Sequence, residues 1–64
     1  MKLKEFNFNE IKNRYSIVGL CIFKDGKLIE HGFIWEVLSK IPIEFAELEI
    51  KSTRWYFNEF IIEL

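Results

Sequence analysis

Cys21 and His31 are the single cysteine and the single histidine of this chain, and so its only thiol nucleophile and imidazole base. A thiol reacts as its thiolate and needs a base within hydrogen-bond reach, with a third group to orient that base. The two residues flank Asp25-Gly26. In a hairpin with a three-residue loop they become diagonal neighbours on one face, within rough reach of each other. The plainer explanation is that Cys21 packs as a small hydrophobe and His31 sits at a sheet rim. No acidic third member and no oxyanion motif is apparent beside them, so no catalytic residue is assigned.

The carboxylates Glu30, Glu36, Glu44, Glu47, Glu49, Glu59 and Glu63 are numerous, but no Asp-rich loop or histidine cluster gathers them into a metal site. One cysteine and one histidine cannot supply the four Cys or His ligands of a structural zinc, and they exclude an intrachain disulfide. Gly19, Gly26 and Gly32 are isolated, so no glycine-rich phosphate loop exists. No metal and no cofactor is expected, and the protein is read as non-enzymatic.

The segment Lys51-Ser52-Thr53-Arg54-Trp55-Tyr56-Phe57-Asn58 places two cations beside three aromatic rings. Such a surface can stack on bases, and antiparallel sheets bearing aromatics do bind single-stranded nucleic acid. A backbone-tracking surface also needs net positive charge, whereas Glu47, Glu49, Glu59 and Glu63 stand close by in sequence. Trp, Tyr and Arg are equally the residues enriched at protein interface hot spots, which need no basic field. Trp35, Arg54, Trp55, Tyr56 and Phe57 are therefore the interface candidates, although Trp55 and Phe57 could simply fill the core.

The elements that must position these residues start with a hairpin. Asp25-Gly26 separates two apolar, β-branched and aromatic runs, from Tyr15 to Phe23 and from Leu28 to Glu36, and Gly26 accepts the positive φ of a tight turn. A two-residue loop sets Gly19 opposite Gly32, Val18 opposite Phe33 and Ile22 opposite Ile29. A three-residue loop that includes Lys24 sets Ile17 opposite Phe33 and Tyr15 opposite Trp35. Both faces are apolar in either register, so each needs a cover.

Before the hairpin, Leu3, Phe6, Phe8 and Ile11 have helical spacing up to about Arg14, with a later start if Asn7 is the N-cap and Glu10 its partner. After it, Pro42 excludes a central strand and suits a one-turn helix near Ile43 to Ala46. Leu48 and Ile50 alternate with Glu49 and Lys51 as in a strand, Glu59 to Leu64 reads as another, and Phe57-Asn58 is the turn between them. The expected fold is one α+β domain over residues 1–64, with an N-terminal helix, a hairpin, a short helical turn and a second hairpin in a roughly four-stranded antiparallel sheet.

So small a chain buries only about 60% of the surface its unfolded form exposes. Half its residues are hydrophobic and 17% aromatic, with seven Phe, two Tyr and two Trp. With disulfide and zinc excluded, oligomerisation is the remaining supplement to the core. One helix of about three turns cannot cover both sheet faces, so the uncovered face or the C-terminal strand edge is expected to serve a homodimer or a protein partner. The net charge of −1, with nine basic and ten acidic residues interspersed, does not steer the chain toward polyanions. No signal peptide is visible and no apolar run approaches the roughly 20 residues of a membrane span, so a cytoplasmic protein without membrane contact is expected.

Met1-Lys-Leu-Lys-Glu-Phe, the Lys-Asp-Gly-Lys hairpin, Ile41-Pro42 followed by Leu48-Glu49-Ile50, and the closing Asn58-Glu-Phe-Ile-Ile-Glu-Leu run through the whole chain. In these motifs it resembles small uncharacterised proteins of Firmicute phages and mobile elements. Ten Ile and seven Lys with a single Ala is also the bias of an AT-rich genome. The resemblance implies an inhibitor of a host defence or nucleic-acid-processing protein, of the anti-CRISPR kind, and carries no functional residue over. Steric inhibition through the aromatic surface is the expected function, and single-stranded nucleic-acid binding is the alternative.

Overall fold

The computed structural model describes residues 1–14 and 19–64, with the backbone alone at residues 12–14. The sequence expectations that rest on Tyr15, Ile17 and Val18 lie outside the described residues.

Among the described residues four strands form one sheet: β1 (Gly19–Lys24), β2 (Lys27–Phe33), β3 (Ser52–Tyr56) and β4 (Glu59–Glu63), in the order β2-β1-β4-β3. β1–β2 and β3–β4 are the two antiparallel hairpins, but β1 and β4 pair in parallel, so the sheet is mixed and not antiparallel throughout. The connector explains the difference. Residues 34–51 leave the end of β2, and the helical elements within them carry the chain back along the sheet, so that β3 starts where β2 started. A crossover of this length is what parallel pairing requires. The C-terminal strand is consequently interior and offers no edge; the edges are β2 and β3.

The helical elements also depart from expectation. The single N-terminal helix is two pieces, a 3₁₀ turn at Leu3–Glu5 and α1 at Phe8–Arg14. Phe6 between them is extended, and the Glu5 carboxylate folds back to accept the Lys2 backbone N–H at 2.7 Å. The start of α1 matches the later one that Asn7 and Glu10 suggested. Ile34–Lys40, whose first residues were read as strand, is the helix α2. Ile34, Val37, Leu38 and Ile41 recur at helical spacing, and Ile34 and Val37 go into the core while Leu38 and Ile41 pack against it, which outweighs the β-branched and aromatic character of the run. The one-turn helix after Pro42 forms as expected, as a 3₁₀ helix over Ile43–Glu47. Leu48–Ile50 contributes only a bridge between Lys2 and Glu49, not a strand.

Leu20, Ile22, Phe60 and Ile62 project from one face of β1 and β4 and meet Leu3, Phe8, Ile11, Ile34, Val37, Phe45 and Leu64 in a single core cluster. The buried residues of every described helix belong to this cluster. The helices therefore lie on one face, and Cys21 and Ile61, buried on the opposite face, stand outside it.

Candidate functional site

Strand alternation and register arrange the second face in rows across the sheet. At one end Phe33, Gly19, Glu59 and Tyr56 form a row, and His31, Cys21, Ile61 and Arg54 form the next. Cys21 and Ile61 make a buried apolar floor, with exposed His31 and Arg54 beside it.

The register expected for a two-residue loop holds only beside the turn, at Lys24↔Lys27 and Phe23↔Leu28; the expected pairs Ile22–Ile29 and Gly19–Gly32 do not form. The loop is the two-residue one, Asp25 at φ 52° and Gly26 at φ 80°, as in a type I′ turn. A bulge beyond it then adds one residue to β2 between the Phe23↔Leu28 and Ile22↔Glu30 pairs. That extra residue brings Cys21 directly opposite His31, where a diagonal relation was expected.

The acidic third member absent from the sequence reading is Glu59. Parallel pairing places it beside Gly19, and its side chain leans across that glycine to hydrogen-bond His31 Nε2. A Cβ at position 19 would stand 3.2 Å from Glu59 Cγ, close enough to press the Glu59 chain aside by a few tenths of an ångström. Cys21 Sγ, a His31 ring nitrogen and a Glu59 carboxylate oxygen all lie within 4.8 Å of one another. Burial, and then the nearby Glu59 carboxylate, push the Cys21 thiol above its ordinary pKa. A thiol held in its protonated form is a poor nucleophile. The trio therefore has the composition of a cysteine–histidine–acid triad without its activated sulfur.

The five interface candidates separate. Arg54 and Tyr56 lie on the second face, opposite Ile61 and Glu59, whereas Trp55 turns to the helix side, where its ring sits 4.9 Å from that of Phe60. Trp55 is half-exposed at the β3 edge and so covers the core in part. Trp35 occupies the first turn of α2 and is 45% exposed. Phe57 does not fill the core: it sits in the β3–β4 turn, 84% exposed, with its ring 4.7 Å from and edge-on to that of Tyr56, itself 61% exposed. Phe33, which the sequence reading did not single out, is 60% exposed in the same row as Tyr56, roughly 14 Å away at three strand spacings. Phe33, Trp35, Tyr56 and Phe57 thus gather at one end of the sheet.

In the helical layer, Leu3, Phe6, Leu38, Ile41 and Ile43 line an apolar cleft of about 420 Å³. No described helix is long and apolar enough to cross a membrane. No family model matches the chain, and neither does any curated protein or solved structure.

Proposed function

We propose that the protein acts by binding another protein through the aromatic end of its sheet, without catalysing a reaction. The observation that carries this reading is Phe57. It is the first turn residue, at φ 54°, a conformation that costs a bulky L-residue about 1–2 kcal/mol and that Gly or Asn adopts far more readily. Its ring is mostly in solvent, so the core does not offset that strain. Local strain of this kind is characteristic of residues placed for contact. Tyr56 and Phe57 pack edge-on against each other, so the two rings present one joint apolar surface to a partner.

The charge around these rings favours a protein over a nucleic acid. Among the described residues, Arg54 and His31 share the face with Glu59 and Glu63, so these residues set no basic field around the aromatics. In the setting implied by the resemblance to phage proteins, the bound molecule is a host defence protein and the mechanism is occlusion of its working surface.

The test is affinity capture from a lysate of the bacterial host, followed by purification of the captured protein and measurement of its Kd. Changing both Tyr56 and Phe57 to Ser is expected to weaken binding on the order of 100-fold, as for paired hot-spot residues. Affinity unchanged by that double substitution would falsify the proposal. A steep log–log dependence on salt with nuclease sensitivity would assign the surface to nucleic acid. A concentration-dependent dimer in sedimentation that the same substitutions abolish would make the partner a second copy of the chain.

A further inference from the structure

We infer that Cys21, His31 and Glu59 form a binding site for a divalent transition metal ion, zinc by the chemistry of the donors. Thiolate sulfur, imidazole nitrogen and carboxylate oxygen are together the zinc ligand set, and a thiolate disfavours magnesium and calcium. Zinc–sulfur and zinc–nitrogen bonds of about 2.3 and 2.0 Å put tetrahedral donors roughly 3.5 Å apart. The three donor atoms already lie within 4.8 Å of one another, so about 1 Å of side-chain movement brings them to ligand spacing, and the hydrogen bond between His31 and Glu59 opens to admit the ion.

Three features of the fold converge on this arrangement. The donors come from β2, β1 and β4, adjacent strands whose pairing holds their backbones rigidly. The β2 bulge sets His31 opposite Cys21, and Gly19 leaves the space through which Glu59 reaches over β1. Binding forms a metal–sulfur bond and releases the thiol proton to solvent, so affinity falls as pH is lowered. Three protein donors leave one tetrahedral position for water or for a donor from a bound molecule. The inference is independent of the proposed partner surface.

Titrating the purified chain with zinc against a chromophoric chelator, and recording the cobalt(II) form, tests the site. One zinc per chain is expected, with a thiolate-to-cobalt charge-transfer band that Cys21→Ser removes. His31→Ala and Glu59→Gln should each weaken zinc by about 10- to 100-fold or more. Glu63→Gln, on the same strand and face but outside the trio, should bind as the unaltered chain does. Zinc should also raise the Tm of the unaltered chain and not that of Cys21→Ser. A cobalt form of the unaltered chain without a sulfur band overturns the inference, and that measurement does not depend on any variant folding. Absence of binding at about 100 µM zinc, or equal zinc affinity in the three ligand variants, overturns it as well.

Discussion

The two ends of the sheet solve one geometric problem with different chemistry. At one end β1 and β2 are joined by Asp25-Gly26, where both residues take positive φ and both are types that tolerate it. Backbone hydrogen bonds from Leu64 to Phe23 and from Lys51 to Glu63 tie the strands together there, and Asp25 accepts from Lys24 and Lys51. At the other end β3 and β4 are joined by Phe57-Asn58, with a bulky ring in the position that suits glycine. The first end follows the rules of turn stability throughout. The second departs from them where the exposed aromatics and the Gly19–Glu59 crossing lie. Local departures from stability rules tend to mark functional surface, and this contrast supports the choice of the second end as the proposed partner surface.

The largest expected difference between the ends comes from exchanging their turn chemistry. Gly26→Ala puts a Cβ at φ 80° and should cost about 1–2 kcal/mol, lowering the Tm by about 4–8 °C per kcal/mol in a domain of this size. Phe57→Gly should leave the Tm unchanged or raise it, by up to about 1 kcal/mol, while partner binding weakens. Thermal melts of the two variants decide the matter: a Phe57→Gly chain destabilised as much as Gly26→Ala would erase the distinction.

Gly19→Ala sharpens the comparison within the aromatic end. The added methyl meets Glu59 Cγ, the flexible Glu59 chain gives way, and zinc affinity should fall about tenfold with little change in Tm. Retained affinity in chelator competition would mean that Glu59 does not need the path across β1.

The smallest effect belongs to Asp25. Its hydrogen bond to Lys24, the charge of Lys24, and then Lys51 hold its carboxyl below the ordinary value of 3.8. A carboxyl with a depressed folded pKa stabilises above its unfolded pKa, and the contribution disappears as pH falls through the folded value. Asp25→Asn should therefore flatten the decline of Tm on acidification below about pH 4, by a small amount because every partner is exposed. An unchanged acid profile would show that these ion pairs contribute nothing there.

Much of this was legible in the residues. Asp25-Gly26 announced the first hairpin, Phe57-Asn58 the second turn and Pro42 the 3₁₀ helix, because each depends on φ preferences of one or two neighbouring residues. The α+β class followed from the same local signals. Ile34 to Leu38 misled because a short apolar run cannot separate strand from buried helix by composition. Of the candidate surface, Tyr56 and Phe57 were readable as hot-spot types, whereas Phe33 needed the register to show that it shares a row with Tyr56.

By itself the sequence determined the turns, the presence of two hairpins and the surplus of aromatic side chains, all properties of contiguous residues. Only the tertiary structure decided that β1 and β4 run parallel, that a bulge sets His31 against Cys21, and that Glu59 crosses Gly19 to join them. Those relations depend on how a connector returns across the sheet and on one unpaired residue in an edge strand, and the free energy that selects them comes from long-range packing of the core rather than from local preference.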